Sequence, residues 1–130
     1  MKQEKEEQEQ KMKLLEPKFV QKVWGEEKWV VNRDYCGKLL RVMKGFRCSL
    51  HHHKNKDETF YINEGRVLLE LGEEGMVMNK GDAILVKPNQ DHRFTGLTDA
   101  EIIEFSTHHD DSDSYRQEGE LSGEVDIENL

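Results

Sequence analysis

Three consecutive histidines, His51, His52 and His53, lie in the stretch GFRCSLHHHKNKDETFYINEG that runs from Gly45 to Gly65. Successive side chains of an extended chain point to opposite faces. His51 and His53 therefore share a face, together with Arg47 and Ser49, while Cys48, Leu50 and His52 turn the other way. The polar segment Lys54–Asp57 reads as a four-residue turn, after which ETFYIN returns as the second strand of a hairpin and brings Glu58 beside His53, with Phe60 and Ile62 on the same face. A second stretch, GDAILVKPNQDHRFTG, offers His92 four residues beyond Pro88. Imidazoles and a carboxylate form a hard-to-borderline nitrogen and oxygen donor set, suited to Fe(II), Mn(II), Co(II), Ni(II) or Zn(II) rather than to thiophilic metals. The expected ligands of a divalent metal ion are His51, His53, Glu58 and His92, with His52 structural.

Positioning such a set calls for strands. From Pro17 onward the chain consists of short runs rich in Val, Ile, Leu and aromatics (KWVVN, KLLRVM, TFYIN, RVLLEL, AILV, AEIIEFS), punctuated by Gly, Asn and Asp every eight to twelve residues. That pattern predicts an all-β antiparallel sandwich or barrel. With 130 residues the chain has the length of one domain. Its division is read as a charged N-terminal segment over 1–16, helical or disordered, a β-barrel domain over 17–110, and an acidic tail over 111–130. Beyond Ser112 that tail is expected to be loosely ordered, with Leu121, Val125, Ile127 and Leu130 able to dock on a sheet edge.

Charge narrows the range of partners. Lys and Arg number 19 against 27 Asp and Glu, and Asp110–Leu130 holds eight acids (Asp110, Asp111, Asp113, Glu118, Glu120, Glu124, Asp126 and Glu128) against Arg116 alone. An acidic tail and the absence of a Lys/Arg stripe argue against nucleic acid and membrane partners. Two cysteines, Cys36 and Cys48, make no disulfide framework and read as reduced thiols. No apolar signal segment is visible, so a cytoplasmic protein is expected.

The spacing Gly45, five residues, His51, one, His53, four, Glu58, six, Gly65 fits the first motif of the cupin superfamily, and Gly81–His92 resembles the second. Within the second motif Gln90 stands where Gly is usual, the Pro88 to His92 spacing is one residue shorter, and Gly96 stands where Asn is common. The resemblance implies a double-stranded β-helix, a small jelly roll with the metal inside. Between Lys18 and Arg116 the chain also resembles mannose-6-phosphate isomerase-like cupins, with Trp24, Gly25, Lys38, Glu104, Asp111, Asp113 and Arg116 at matching positions.

That likeness implies metal-dependent isomerisation or epimerisation of a sugar or sugar phosphate. Such a reaction needs a Lewis acid on adjacent sugar oxygens and a base for the proton on the carbon beside the carbonyl. The candidate catalytic residues are Glu27, Lys38 and Glu104. Lys38 either stabilises an enediolate or is an outward strand residue, Glu104 points in or out, and Arg93 or Arg116 could hold a phosphate. Arg93, next to His92, is expected at the surface, Trp24, Trp29 and Tyr61 in packing, and His108 and His109 in a solvated loop. The competing readings are a non-catalytic sugar-binding or sensory cupin and a non-haem Fe(II) dioxygenase. Open sheet edges lead to the expectation of a homodimer.

Overall fold

The computed structural model describes residues 11–130. The first ten residues of the charged N-terminal segment lie outside the described residues, and Lys11–Glu16 carry no regular secondary structure. The strands are β1 (Lys18–Lys22), β2 (Gly25–Asn32), β3 (Tyr35–Val42), β4 (Phe46–Arg47), β5 (His51–His52), β6 (Glu58–Glu64), β7 (Arg66–Leu71), β8 (Glu74–Asn79), β9 (Ala83–Val86), β10 (His92–Gly96), β11 (Ala100–Thr107), β12 (Tyr115–Arg116) and β13 (Gly123–Glu124). Two 3-10 turns, Asp111–Asp113 and Ile127–Asn129, are the only helical elements among the described residues.

The strands form two antiparallel sheets. One has the order β1-β2-β3-β11-β6-β9. In the other, β10 pairs on one side with β7, itself paired to β8, and on the other side with β4 and β5, whose far edges carry β13 and β12. From β3 to β11 the chain passes back and forth between the sheets, with β4–β5 and β7–β8 as successive strands within the second, which is the winding of a double-stranded β-helix and agrees with the expected all-β jelly roll.

Period-2 alternation explains why these runs become strands and which face they bury. β3, β6 and β11 alternate buried with partly exposed residues over most of their length, as a sheet with one covered face requires. Trp24, Leu40, Val42, Phe60, Ile62, Val67, Leu69, Met78, Phe94 and Ile102 fill the space between the sheets. Ile62, Val67 and Ile102 are completely buried, each stabilising the fold by about 1.5–3 kcal/mol. Trp24 meets Phe94 edge to face, with ring centroids 5.0 Å apart. Gly65, which closes the first motif, has φ +77, and a Cβ there would collide with the Asp99 carbonyl. Only glycine meets both demands without strain.

The inward face changes character along the strands. Val42 and Leu40 give way to Lys38 on β3, Ile102 to Glu104 on β11, Ile62 and Phe60 to Glu58 on β6, and Phe94 to His92 on β10. One end of the barrel is thus an apolar plug and the other a lined, polar cup.

Three sequence expectations differ from the fold. Lys54–Asp57 is not a hairpin turn: β5 pairs with β10 and β12, and β6 with β11 and β9, so this segment crosses from one sheet to the other. Nor does one alternation run from Arg47 to His53. Residues 48–50 leave the strand ladder, the phase slips, and Cys48 packs into the core while His51 and His53 still face the cup. The acidic tail is also not loose. β12 lies on β5 and β13 on β4, the Leu50 amide donates to the Glu120 carbonyl (3.2 Å), and the Gln117 amide to the Leu50 carbonyl (2.9 Å).

Candidate metal centre and active site

His51 sits in β5, His53 just beyond it, His92 at the start of β10 and Glu58 at the start of β6. Donor atoms of the three histidines lie within 4.8 Å of one another. Each ring is oriented by its Nδ1, which faces a main-chain carbonyl: Ser49 for His51 (2.7 Å), Asp113 for His53 (2.8 Å) and Gln90 for His92 (2.9 Å). A carbonyl only accepts, so Nδ1 carries the proton and Nε2 presents its lone pair. Backbone partners of this kind are how metal-binding histidines are held. Burial lowers the pKa of all three, that of His53 to about 4 and that of His92 to about 3, which keeps the rings neutral.

Glu58 completes the arrangement. Its Oε2 lies 3.3 Å from His53 Nε2 and 3.4 Å from His92 Nε2. Two ligands about 2.1 Å from one ion and at right angles to each other stand about 3 Å apart. Oε2 is fully buried without a hydrogen-bond partner, and burial, with the Glu104 carboxylate second, raises the Glu58 pKa to about 8. A buried acceptor facing the lone pairs of His53 and His92 is unfavourable unless a proton or a cation lies among them. The residues present therefore fit a divalent ion held by three nitrogens and one oxygen.

Beyond the ligands stand two lysine–carboxylate pairs. Lys38, only 2% exposed, points inward from β3, with Nζ 3.3 Å from Glu27 Oε1 and 4.0 Å from the Trp29 ring centroid. Glu27 Oε1 also accepts from Trp29 Nε1 (2.8 Å), and Lys22 stands 3.8 Å from Oε2. Glu104 points inward from β11, and both Lys56 Nζ (3.2 Å) and Ser106 Oγ (2.9 Å) donate to its Oε2. Burial would raise the Glu104 pKa, but Lys56 and Lys38 outweigh it and hold this carboxyl well below the ordinary range. For Lys56 burial would lower the pKa, and the Glu104 and Glu58 carboxylates overcome it and raise it.

The structure thus brings His51, His53, Glu58, His92, Glu27, Lys38 and Glu104 around one cavity of about 150 Å³. That is close to the size of a cavity that accepts a single six-membered ring. His52 faces away as expected, stacked on Tyr115 and 3.0 Å from Asp91 Oδ1.

The roles of three groups were not foreseen in the sequence. Lys56 was absorbed into a polar turn, yet it is buried between Glu104 and Glu58 and bonds His109 Nδ1 at 2.9 Å. His109 is not in a solvated loop: it lines the cavity, and its Nε2 donates to Asp111 Oδ1 (2.8 Å). Asp113 is buried and collects three backbone amides from residues 54–56. Loops carry no periodicity, so only the odd placement of a lysine two residues before a ligand could have drawn attention to Lys56. Arg93 is a correction too. It faces away from the metal ligands as expected, but it is buried under the tail, forked onto Glu70 (3.2 and 3.0 Å) and paired with Glu120 (2.8 Å). Its fork is taken by Glu70 and it does not line the cavity, so it is not placed to hold a substrate phosphate. Cys48 borders the cavity, but burial pushes its pKa up to about 12, so it is an inert thiol.

The second-motif departures have local causes. Asn89 takes φ +68 behind Pro88, and the Gln90 amide bonds the Lys87 carbonyl at 3.3 Å, the arrangement of a type II turn. The left-handed residue is Asn89, so position 90 does not require glycine. At Gly96 a Cβ would stand 2.7 Å from the Met43 carbonyl oxygen, which excludes any side chain.

Fold and site together define a small jelly roll with a histidine- and carboxylate-lined cup. Residues 38–106 match the family model described as Cupin domain, and the chain belongs to that family. An uncharacterized protein of Methanocaldococcus jannaschii, MJ1618, is 36% identical over 56 residues, 43% of this chain and 45% of that protein, so the match spans less than half of either. KdgF from Halomonas sp. superposes with TM-score 0.67 at 21% identity, over 75% of this chain and 90% of that one. Pac13, a nucleoside dehydratase, whose Streptomyces variants have been solved with uridine, superposes with TM-score 0.70 at 15% identity, over 89% of this chain and 92% of that one. CapF, a capsular polysaccharide assembling protein of Staphylococcus aureus, gives TM-score 0.69 at 15% identity over 79% of this chain and 34% of its own. At these identities the likeness is one of fold.

Proposed function

We propose that this chain is a metal-dependent isomerase or epimerase of a sugar or sugar phosphate, of the mannose-6-phosphate isomerase-like kind. The fold alone hosts many chemistries. What carries the reading is the pairing of Lys38 with Glu27 and of Lys56 with Glu104 in the same small cavity as the His51, His53, Glu58 and His92 donors. The names of Pac13 and CapF concern a nucleoside and a polysaccharide, which supports a sugar-type ligand.

A bound divalent ion would supply Lewis acidity to neighbouring carbonyl and hydroxyl oxygens of the substrate. Glu104 takes the proton beside the carbonyl and returns it to the adjacent carbon: both hydrogen bonds to this carboxylate fall on Oε2 and leave Oε1 as acceptor, and Lys56 and Lys38 keep it in the ionised form that a base needs. Glu27 is the weaker candidate, with Trp29, Lys38 and Lys22 already around its carboxylate. Lys38 supplies positive charge to a developing oxyanion. A substrate phosphate would meet Lys22 at the cavity wall rather than Arg93 or Arg116. The buried, unpaired cysteines fit a cytoplasmic setting.

A homodimer belongs to the same proposal. Phe105 and Leu85, both exposed, flank Thr59 on the outer face of the first sheet, and Ile103, Tyr61 and Leu39 form the adjoining row.

The test is to load the protein with Mn(II), Fe(II), Co(II) or Zn(II) and follow aldoses, ketoses and their phosphates by proton NMR in D₂O. New sugar signals carrying deuterium beside the carbonyl are expected, and Glu104→Gln should slow that exchange by about 10²–10⁴-fold. If every sugar in the panel stays unchanged, the isomerase reading fails and a binding role takes its place.

A further inference from the structure

We infer that Asp113 positions the metal centre from outside it, so that docking of residues 110–124 on the barrel and binding of a divalent ion are one linked equilibrium. This rests on the metal reading of His51, His53, Glu58 and His92 and is independent of the reaction catalysed.

Asp113 works through two groups. Its carboxylate accepts from the amides of Lys54 (2.8 Å to Oδ1), Asn55 (3.1 Å to Oδ2) and Lys56 (3.1 Å to Oδ2), fixing the crossover that joins His53 to Glu58. Its main-chain carbonyl accepts the His53 Nδ1 proton at 2.8 Å and so sets which nitrogen of that ring is free. The carbonyl survives any substitution of Asp113, and what the carboxylate determines is where that carbonyl stands. Asp110 caps the short turn ahead of it, its Oδ1 accepting from the Ser112 amide at 2.9 Å.

The same segment braces a second ligand. β5 is two residues long and carries His51; one of its edges is β10 and the other is β12, with Tyr115 opposite His52 and Arg116 opposite His51. A strand this short has little stability of its own. Further along, Glu120 is pinned to Arg93 at 2.8 Å, and its carbonyl accepts the Leu50 amide. Two of the three histidine donors are therefore held between β10 and the C-terminal segment. Linkage is reciprocal: if docking raises metal affinity by some factor, bound metal stabilises docking by the same factor.

The experiment uses the full chain and Co(II) alone. Metal-free wild type, Asp113→Ala and a control, Val67→Ala in the apolar plug, are titrated with Co(II) by its visible absorption in competition with a chelator. In parallel, amide hydrogen exchange of the wild type is followed with and without Co(II). Asp113→Ala should raise the Co(II) Kd by about 10–100-fold, the effect typical of groups that orient ligands. Val67→Ala should lower Tm and leave Kd within about 2-fold, since its effect is cavity formation remote from the ligands. Saturating Co(II) should slow exchange at the Lys54, Asn55, Lys56 and Gln117 amides. An Asp113→Ala Kd within about 2-fold of wild type would overturn the inference, and so would wild-type exchange at those amides that Co(II) leaves unchanged. The exchange arm decides the matter even if the variant does not fold. Wild type that takes up no Co(II) at all would instead remove the metal reading beneath it.

Discussion

Glu58 and the histidines around it are shifted in opposite directions, and the metal-free protein should register both. Glu58 is raised from 4.5 to about 8, so the folded chain keeps a proton there that the unfolded chain loses. That contribution to stability is complete below pH 4.5 and disappears as pH rises through 8. His53 and His92 are lowered from 6.5 to about 4 and about 3; their contribution is complete above pH 6.5 and disappears as pH falls through that lower range. The Tm of metal-free protein should accordingly fall between pH 6.5 and 8.5, and saturating Zn(II) should remove the fall, because the cation then holds Glu58 ionised. A flat metal-free profile over that range would mean that Glu58 is not proton-loaded in the fold. The three histidines that converge were legible in the sequence, His51 and His53 from their shared face and His92 from the second motif, whereas Glu58 was placed beside them by a hairpin that the fold does not contain. Where Lys56, His109 and Asp113 stand was not legible, although Asp113 was named by resemblance, because they reach the site from a crossover and a tail, whose path is fixed by long-range contacts.

At the scale of elements, the crossover Lys54–Asp57 and the turn at Gly65 carry the site on β6 between them. Lys56→Met would leave the buried Glu104 carboxylate without its nearest cation, a loss of about 3–5 kcal/mol in urea unfolding of the metal-free chain. Little or no change in that experiment would show that Lys56 is not buried as described. Gly65→Ala forces a left-handed backbone and a clash with Asp99, and should destabilise by more than about 1 kcal/mol while leaving metal stoichiometry intact. Strand content was readable from alternation, and the inward placement of Glu104 and Lys38 follows from the same period once the phase of β3 and β11 is known. The hairpin reading of residues 51–62 failed because a polar turn between two strands looks alike whether it joins neighbours or crosses between sheets. The phase slip at residues 48–50 failed for a related reason: it is imposed by pairing with Phe94 and Glu120, which local pattern does not contain.

For the whole molecule, the outer face of the first sheet bears on assembly. Phe105 is 56% exposed and Leu85 47%, beside the half-covered row of Ile103, Tyr61 and Leu39. A second copy covering this face would need to bury at least about 1,200 Å² in total. Sedimentation should give a dimer for wild type and a monomer for Phe105→Glu; a monomeric wild type would leave the stripe without this role. No helix among the described residues is long and apolar enough to cross a membrane.

X-ray absorption at the metal edge of Zn(II)- or Co(II)-loaded protein tests most directly whether His51, His53, Glu58 and His92 hold one divalent ion. The expected result is one ion per chain surrounded by three imidazole nitrogens and a carboxylate oxygen at about 2.0–2.2 Å, with binding lost in His92→Ala. Substoichiometric metal, sulfur scatterers around the ion, or full retention in His92→Ala would contradict it.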